Sequence, residues 1–412
     1  MTTKEQILNE VRNKQLPVVI AGAGIVGKEI LALCEMEGIK VECFCDSSIK
    51  TAGTEFCGFE VVYTPDLKKK FEKALIIISV AAIKDVVDSL TQQGFNDWYA
   101  GGLLLKEYDR SQNNAELDYR KFAIDNCILC HNGYLDKVNL FFRSIDIIIT
   151  ECCSLKCNDC SNLMQYYEHP QNCDTNDLLD SIDKFCSVVD DVMDFRIIGG
   201  EVFMNKEWPV IVDRLVNEPK ARRVILYTNG TIIPKDSALE YLKNDKVLVI
   251  ISDYKYLSKK LNELKAVFEQ NNIAYHILEV NEWLDCSTIE QHNRGEEGNK
   301  KIFQLCCAKN MPTLSDGKIF RCPYSANAFR LKAVPDNQND YVDLYKEQLN
   351  GSDLIQTKNK IRSYLNDIPY LKICDFCSGR PLSGNEVEPA VQIKKPRKYQ
   401  KFELNSTKEI SK

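Results

Sequence analysis

The sequence predicts an α/β protein in which apolar strands alternate with helices. Two patterns support this prediction: a glycine-rich turn that joins a strand to a helix near the N-terminus, and a later series of apolar runs that each end in polar residues. A chain of 412 residues is long enough for about two or three domains. We expect a first domain over residues 1–105, a linker over 106–139, a core over 140–285, a further domain over 286–392 and a flexible tail over 393–412.

The first domain begins with a strand–turn–helix unit. The strand at residues 17–21 leads into a Gly-x-Gly-x-x-Gly turn, whose glycines are Gly22, Gly24 and Gly27. The next strand ends at Asp46, close to the usual distance for an acid that accepts hydrogen bonds from ribose hydroxyls. Glycines at such a turn let a phosphate approach the N-terminus of the helix. The pattern predicts a small Rossmann-like domain.

This domain resembles the nucleotide-binding domains at the front of bacterial sugar-modifying acetyltransferases and other capsule or glycan enzymes. The resemblance rests on the Gly-Ala-Gly start and on the Asp-bearing turn after the second strand. It implies a nucleotide or nucleotide-sugar ligand, and NAD is an alternative because of Asp46. A domain that kept the fold but lost the ligand, and that serves only for docking, is a further alternative, since fold alone does not determine function.

A cysteine cluster follows the apolar run Ile145–Ile149. Cys153, Cys157 and Cys160 form a Cys-x3-Cys-x2-Cys pattern. Three thiolates on one short loop hold three irons of a 4Fe–4S cluster and leave the fourth iron open to a substrate. A structural zinc site needs four closed ligands, commonly in two pairs, and the neighbouring sequence offers no mate for the trio. The spacing therefore favours iron and sulfur over zinc.

Three later strands of the core end in polar or glycine-rich corners. The corner residues are Gly199, Gly200 and Glu201 after the first strand, Thr228 and Asn229 after the second, and Ser252 after the third. Parallel strands place their chemistry at these carboxyl ends, so we expect the corners to surround one site. The alternative for Asn229 and Gly230 is a simple turn without chemistry, and it stays open.

Together these motifs resemble the radical SAM superfamily over most of the chain from Ile145 to Gln392. The resemblance implies a partial (β/α)6 barrel, a 4Fe–4S cluster on the three cysteines, and S-adenosylmethionine chelated to the open iron by its amino and carboxylate groups. One residue departs from the family pattern, because Asp159 stands where an aromatic residue is usual. We interpret this difference as changed packing over the cofactor.

The resemblance also implies roles for the strand ends. The Gly199–Glu201 edge is expected to hold the amino group of the methionyl moiety, with the glutamate carboxylate beside this ammonium. Thr228 and Asn229 are expected beside the cofactor, and Ser252 is expected at its ribose. Reductive cleavage of the sulfonium then yields a 5′-deoxyadenosyl radical that abstracts a hydrogen atom, so the protein mainly supplies position.

A second cysteine group lies in the segment 286–392. A hairpin is predicted around Asp316 and Gly317, which suit a type I′ turn. This hairpin brings Cys306 or Cys307 close to Cys322, and the later pair Cys374 and Cys377 can complete a set of four ligands. The pattern resembles the SPASM and shorter twitch extensions of radical SAM enzymes, and it implies one auxiliary 4Fe–4S cluster. The spacing does not choose between the two adjacent cysteines, and a zinc ribbon remains an alternative.

The reaction implied by the resemblance is hydrogen abstraction from a sugar or another polyol, free or linked to a nucleotide, in bacterial glycan biosynthesis. The substrate radical then gives a ketone by oxidation, or an epimer if a thiol returns a hydrogen atom. Cys286 is the candidate thiol, and a loop cysteine without chemistry is the alternative. The rivals to this oxidoreductase or epimerase are a radical SAM peptide maturase and a non-catalytic iron–sulfur or zinc protein.

Composition narrows the expected partners. The formal net charge of -6 at pH 7 offers no basic surface for nucleic acid. Neither a signal peptide nor a membrane-spanning apolar run is visible, and 18 cysteines suit metal ligation in a reducing compartment, so we expect a cytoplasmic enzyme. Its expected partners are a small-molecule substrate and a reducing electron donor such as flavodoxin or ferredoxin. The lone pair Cys127 and Cys130 gives only weak support for another metal site.

Overall fold

The computed structural model describes residues 4–105, 119–347, 349, 351–381 and 384–402. The chain forms two compact units, Met1–Phe141 and Phe142–Lys412. None of the helices within the described ranges has the length and hydropathy needed to cross a bilayer. Parts of two predicted segments lie outside the described residues, namely 106–118 of the linker and 403–412 of the tail.

The first unit is built on one sheet. Its helices and strands are α1 (Lys4–Asn13), β1 (Val18–Ala21), α2 (Ile25–Met36), β2 (Val41–Asp46), β3 (Glu55–Phe56), β4 (Phe59–Tyr63), α3 (Leu67–Lys70), β5 (Leu75–Ile78), α4 (Ile83–Gln92), β6 (Trp98–Ala100) and α5 (Tyr119–Leu135). The strands lie in the order β3-β4-β2-β1-β5-β6. Neighbouring strands pair in parallel, except that β3 and β4 pair antiparallel. Strand β1 therefore has a parallel partner on each side.

The central strand β1 contributes to two hydrophobic cores. Val18 and Ile20 belong to one core, while Val19 and Ala21 belong to the other. Every residue of the strand is buried. Successive side chains of a strand point to opposite faces, and helices cover both faces of a parallel sheet, so such a strand is a continuous apolar run. The strand predicted at residues 17–21 is confirmed for this reason.

Helix α5 corrects the predicted linker. The sequence analysis assigns residues 119–135 to the linker at 106–139, but Ile124, Cys127 and Ile128 of this helix are buried in a core of the first unit. Burial of such side chains is favourable and makes the helix part of the domain. The apolar residues are spread around the helix without forming one stripe, so no amphipathic pattern marked the segment.

The second unit alternates strands and helices, and it confirms the α/β class. Its elements are β7 (Phe141–Thr150), α6 (Thr175–Val188), β8 (Asp191–Gly199), α7 (Trp208–Val216), β9 (Ala221–Thr228), α8 (Asp236–Leu239), β10 (Val247–Asp253), α9 (Leu261–Gln270), β11 (Tyr275–Glu279), β12 (Trp283–Leu284), α10 (Gly295–Leu305), β13 (Thr313–Ser315), β14 (Lys318–Phe320), α11 (Pro323–Arg330), β15 (Tyr341–Asp343), α12 (Gly351–Asn366) and β16 (Glu386–Val387). Eight strands form one sheet in the order β11-β10-β9-β8-β7-β13-β14-β15. Strands β8 to β11 run parallel, so their carboxyl ends lie at one edge.

The predicted segments at 140–285 and 286–392 share this sheet. Strand β13 pairs in parallel with β7, and β14 pairs antiparallel with β13 and β15. At the tip of the β13–β14 hairpin, Asp316 and Gly317 have φ values of 50° and 69°, the left-handed region that a type I′ turn requires. The predicted hairpin is confirmed. The boundary predicted at residue 286 does not separate two sheets, because long-range pairing joins strands from both segments.

The predicted flexible tail is anchored as far as residue 402. The backbone N–H groups of Ile393, Arg397 and Phe402 donate hydrogen bonds of 2.8, 2.8 and 2.7 Å to carbonyl oxygens elsewhere in the second unit. The tail prediction is therefore wrong for residues 393–402. The charged residues of this segment suggested mobility, but a local sequence does not reveal hydrogen bonds between its backbone and distant segments.

Candidate functional site

The cysteine loop follows strand β7. Thr150, the last residue of the strand, accepts a hydrogen bond from the N–H of Cys152 at 2.9 Å, and this bond turns the chain. Burial, together with the nearby Cys160 thiol, raises the pKa of Cys157 to about 12. Burial likewise raises the pKa of Cys153, to which both other thiols add. The loop thus brings the three predicted ligands close together.

Each sulfur atom of this loop has N–H donors nearby. Asn229 Nδ2 lies 3.7 Å from the first sulfur, and Gln392 Nε2 lies 3.2 Å from the second. Burial raises the pKa of Cys160, and backbone N–H groups of residues 162–164 oppose this shift. Such donors stabilise negatively charged sulfur, so the loop fits an anionic cluster. Within the described ranges, no three His, Cys, Asp or Glu side chains are grouped so that they could hold one metal ion. A 4Fe–4S cluster does not need such a group, because each cysteine binds a different iron.

The glycine edge at the end of β8 packs directly against the cysteine loop. The N–H of Gly200 donates to Thr150 O at 3.0 Å, and the N–H of Glu201 donates to Cys152 O at 2.8 Å. A Cβ at Gly199 would lie 2.3 Å from the first of these oxygens, and a Cβ at Gly200 would lie 2.1 Å from the second. Only glycine therefore allows the strand end and the loop to approach so closely.

Glu201 is fully buried and joins two strand ends. Its Oε1 accepts from Thr228 Oγ1 at 2.7 Å, and its Oε2 accepts from the N–H of Asn229 at 2.7 Å. Burial raises the pKa of Glu201 to about 7, although these hydrogen bonds oppose the shift. The sequence analysis expected this carboxylate beside a ligand ammonium. The structure corrects that expectation, because both oxygens are used to hold β8 to β9.

Asn229 connects the end of β9 to the cysteine loop. In addition to its contact with the Cys153 sulfur, its Nδ2 donates to Ser154 Oγ at 3.1 Å. Its Oδ1 accepts from the N–H of Thr231 at 3.1 Å. The next residue, Gly230, has a φ of 69°, as the turn interpretation requires. The segment is therefore a turn whose asparagine also contacts a predicted cluster ligand.

The end of β10 contributes Ser252 and its neighbours. Ser252 is half-buried and forms a hydrogen bond with Tyr254, whose pKa is raised by burial and by the loop thiols. Ser258, which sequence reasoning missed, donates to Asn229 O at 2.8 Å and accepts from the N–H of Tyr254 at 2.9 Å. No motif marks Ser258, because it reaches the strand ends only through the fold of the following turn.

Six cysteines from distant parts of the chain converge elsewhere in the second unit. Burial raises the pKa of Cys377, and the thiols of Cys286, Cys306 and Cys322 raise it further. Burial also raises the pKa of Cys374, to which the Cys322 and Cys306 thiols add. The structure thus brings the predicted auxiliary ligands together, and it adds Cys286 to their surroundings.

The two adjacent cysteines of this group have different neighbours. The Cys306 thiol raises the pKa of both Cys374 and Cys377, and burial raises its own pKa to about 12. The Cys307 thiol raises the pKa of Cys286 and Cys306. The Cys306 thiol therefore lies close to both members of the Cys-x2-Cys pair.

Arg380, which sequence reasoning missed, supplies a positive charge to this cysteine group. Burial raises the pKa of Cys286 to about 12, and the nearby guanidinium opposes that shift. Arg380 Nε is buried and has no hydrogen-bond partner within the described ranges. A buried cation is destabilising unless an opposite charge offsets it, so this surrounding fits an anionic cluster. The only signal in the sequence is that Arg380 follows Cys377 closely.

Cys286 lies between the two cysteine groups. Its thiol is buried beside the auxiliary candidates, and its carbonyl oxygen accepts from Cys377 Sγ at 3.7 Å. The next residue, Ser287, lies with its Oγ 3.4 Å from Asp159 Oδ1, on the first cysteine loop. The raised pKa keeps the Cys286 thiol protonated at neutral pH, as a hydrogen-atom donor requires.

In the glycine-rich turn of the first unit, two glycines leave no room for a side chain and the third borders free space. A Cβ at Gly27 would lie 2.1 Å from Gly22 O, so these two residues shape the turn. A Cβ at Gly24 would meet no atom within 4 Å. Gly24 therefore borders free space at the N-terminus of α2, where a phosphate would bind.

Asp46 holds this turn in shape. Its Oδ2 accepts from the N–H of Ala23 at 3.0 Å, and its Oδ1 accepts from the N–H of Ser48 at 2.8 Å. The sequence analysis expected Asp46 to accept hydrogen bonds from ribose. Both of its oxygens already bind backbone groups, so the structure gives this residue a structural role that was not foreseen.

The Cys127 and Cys130 pair lies on helix α5 in the first unit. His131 Nε2 lies 3.5 Å from Cys127 Sγ, while His131 Nδ1 accepts from the N–H of Gly102 at 2.9 Å. Burial lowers the pKa of His131 to about 4, so the ring is neutral. This histidine fastens the helix to the backbone of its own unit, and both cysteines are buried.

Comparison with known proteins finds similar solved structures. BtrN in complex with AdoMet and 2-DOIA aligns over 58% of this chain and 93% of its own, with 15% identity and a TM-score of 0.34. Native anSMEcpe with bound AdoMet and Cp18Cys peptide aligns over 34% of this chain and 43% of its own, with 20% identity and a TM-score of 0.28. Streptococcus suis SuiB bound to the precursor peptide SuiA aligns over 48% and 44%, with 16% identity and a TM-score of 0.29. These neighbours are radical SAM enzymes.

The overlap with these enzymes is partial. The chain spans less than half of the length of anSMEcpe and SuiB, at 43% and 44%. No family model matches the chain, and no curated protein matches it. Overlap at this level gives no residue-by-residue correspondence with these enzymes. The roles of individual residues are therefore inferred from contacts within this chain.

Proposed function

We propose that the chain is a radical SAM enzyme with a 4Fe–4S cluster on Cys153, Cys157 and Cys160. The observation that carries this proposal is the direct packing of Gly199 and Gly200 against the cysteine loop. The cluster, when bound, supplies the electron that cleaves S-adenosylmethionine to a 5′-deoxyadenosyl radical. The protein then has to hold the cofactor and the substrate in position.

Each strand end has a separate task in this proposal. The backbone of Gly199 and Gly200 presents polar groups without side chains, so it binds the amino group of the methionyl moiety. Asn229 donates towards the Cys153 sulfur and orients the first ligand. The Ser252 hydroxyl binds the ribose at the end of β10. Glu201 does not touch the cofactor but fixes the relative position of two strand ends.

The proposal is tested by anaerobic reconstitution of the full chain with iron and sulfide, followed by dithionite and S-adenosylmethionine. We expect 5′-deoxyadenosine from the wild type and none from a Cys157→Ala variant. Cys152→Ala is the matched control, because Cys152 lies on the same loop but directs its thiol to Pro170 O at 3.4 Å. A wild type that loads with zinc, or that loads with iron but forms no 5′-deoxyadenosine, would contradict the proposal.

The second cysteine group is proposed to bind an auxiliary 4Fe–4S cluster through Cys306, Cys322, Cys374 and Cys377. Their mutual effects on pKa support a shared site. The partnerless Nε of Arg380 supports a bound anion in the same place. Arg380 is then a positioning residue that offsets the negative charge of thiolates and cluster.

The proposed substrate is a sugar or another polyol, and the proposed outcome is oxidation or epimerisation. After hydrogen abstraction, the substrate radical loses one electron to the auxiliary site and one proton, which forms a carbonyl. Alternatively, the S–H bond of Cys286 would break and its hydrogen atom would form the new C–H bond, which leaves a thiyl radical; one electron from the reducing electron donor and one proton from solvent would restore the thiol. The buried, protonated state of Cys286 supports the second route.

The first unit is proposed to bind the nucleotide of a nucleotide-linked substrate. Open space at Gly24 supports this proposal.

Peptide modification is the alternative, since anSMEcpe and SuiB have been solved with peptides. A peptide maturase would typically carry a small winged-helix element that binds a leader peptide, whereas the first unit is a six-stranded, mainly parallel sheet. Turnover assays with UDP-sugars and with peptides would distinguish the two classes.

A further inference from the structure

A segment near the C-terminus pairs with the cysteine loop of the proposed radical SAM site. Cys157 and Gln392 form an isolated antiparallel bridge. The N–H of Asn158 donates to Val391 O at 2.7 Å, and the N–H of Ile393 donates to Lys156 O at 2.8 Å. The loop that carries the first three cysteines is therefore held from one side by residues more than two hundred positions later in the sequence.

The side chain of Gln392 has a defined orientation in this pairing. Its Oε1 accepts from the N–H of Lys156 at 2.8 Å. This donor requires an oxygen at that end of the amide, so the amino group must be at the other end. That amino group lies 3.2 Å from Cys157 Sγ and donates to Ala390 O at 2.7 Å. Both hydrogens of the amino group thus have acceptors, one of which is the sulfur.

The backbone before Gln392 also supports this geometry. Ala390 is buried and has a φ of 56°, which is uncommon for a residue with a Cβ. Beyond the pairing, Arg397 donates from its backbone N–H to Gln165 O at 2.8 Å, and the Tyr399 ring packs on Tyr166 at 5.6 Å. The segment is therefore anchored on both sides of the glutamine.

The three sulfurs obtain their hydrogen bonds from different sources. Backbone N–H groups of the loop itself act on Cys153 and Cys160. For Cys157, the donor is the side chain of Gln392, whose Nε2 lies 3.2 Å from the sulfur. This sulfur therefore depends on a residue outside the motif, and a substitution can remove the donor without changing the loop sequence.

We propose that Gln392 is a positioning residue for the Cys157 thiolate, and that its N–H···S hydrogen bond raises the reduction potential of the cluster bound there. The inference rests on the proposed function. Reduction adds one electron to the cluster, and a donor aimed at a ligand sulfur stabilises the more negative state. Gln392 thus connects the position of the C-terminal segment to the reduction potential of the proposed cluster.

The experiment is a potentiometric titration of the anaerobically reconstituted full chain, followed by electron paramagnetic resonance of the reduced first cluster. Gln392→Met removes the donor and keeps the length and shape of the side chain. Val391→Ala is the matched control, because Val391 lies in the same segment with an exposed side chain and its backbone pairing remains. We expect a more negative midpoint potential for Gln392→Met and an unchanged one for Val391→Ala.

A second variant keeps the inference testable if Gln392→Met does not fold. Gln392→Glu retains an oxygen for the Lys156 N–H but replaces the amino group, and the same negative shift is expected at a pH that ionises the carboxylate. Thermal unfolding of each variant shows whether the fold is kept. A folded variant that has wild-type iron content and the wild-type midpoint potential would overturn the inference. If the wild type binds no 4Fe–4S cluster at all, the proposed function fails instead.

Discussion

Glu201 accepts a hydrogen bond from the hydroxyl of Thr228 at 2.7 Å, and this bond joins the end of β8 to the end of β9. The same carboxylate accepts from the N–H of Asn229, which contacts the cysteine loop. A buried carboxylate therefore determines where two corners of the candidate site lie relative to each other. Its hydrogen bonds matter because an unpaired buried carboxylate is strongly unfavourable.

Removal of the Thr228 hydroxyl should destabilise the second unit. Thr228→Val keeps the volume of the side chain but leaves Glu201 with one donor fewer, and we expect a loss of about 1–3 kcal/mol in the free energy of unfolding. Urea denaturation measures this loss. Thr175→Val, at a half-buried position at the start of α6, is the control and should stay near the wild type. Equal free energies of unfolding for the two variants would argue against a stabilising role of the hydrogen bond between Thr228 and Glu201.

The stability of the second unit should depend on pH through Glu201. Its pKa rises from 4.5 to about 7 on folding because of burial. The folded state therefore holds the proton where the unfolded state has lost it, so this contribution is complete below pH 4.5 and declines as the pH rises to 7. The full decline is on the order of 3 kcal/mol. Urea denaturation across this range should show a flatter profile for Glu201→Gln, and identical profiles would contradict the assignment.

The two adjacent cysteines of the second group, Cys306 and Cys307, should differ in their contribution to iron binding. Cys306→Ala should lose about half of the bound iron, because one of two clusters is lost. Cys307→Ala is the matched control and should retain the wild-type content, since Cys306 is the ligand in the proposed arrangement. Iron and sulfide analysis of the reconstituted proteins makes the comparison. The reverse result would assign the ligand to Cys307.

Cys286→Ala should separate radical formation from product stereochemistry. With a UDP-sugar substrate in deuterated water, the wild type should give a product that carries a solvent deuterium at carbon. The variant should still form 5′-deoxyadenosine but give no such product, because the S–H donor is gone. Mass spectrometry detects the label, with Cys152→Ala as the control. A product two hydrogens lighter from every protein would establish oxidation and remove the donor role.

Gly24→Val should abolish nucleotide binding by the first unit without unfolding it. The new side chain enters open space, where we expect the phosphates. Gly22→Val makes the contrast, because its Cβ would lie 2.6 Å from Ser79 Oγ at a φ of 114°, and it should lower the melting temperature. Calorimetric titration with UDP and ADP measures binding. Absence of binding by the wild type would leave the unit with a docking role, whereas wild-type affinity in a folded Gly24→Val protein would show that the phosphates do not bind at Gly24.

Local sequence patterns predicted a large part of the fold and of the candidate site. The strand before Gly22 and the hairpin at Gly317 were predictable because a continuous apolar run and a turn sequence each depend on consecutive residues. The three loop cysteines were predictable for the same reason. Helix α5 was assigned to a linker because its apolar residues form no stripe, and only the packed unit shows that they are buried.

The sequence by itself determined the α/β class, the glycine-rich turn and the cysteine spacings, since each depends on residues close together in the chain. Only the tertiary structure decided that Gln392 reaches the Cys157 sulfur, that Glu201 joins the ends of two strands, and that the Cys306 thiol lies near Cys374 and Cys377. These contacts join residues far apart in sequence. They form because pairing and burial bring the backbone of one segment against another, and no local pattern records which segments will meet.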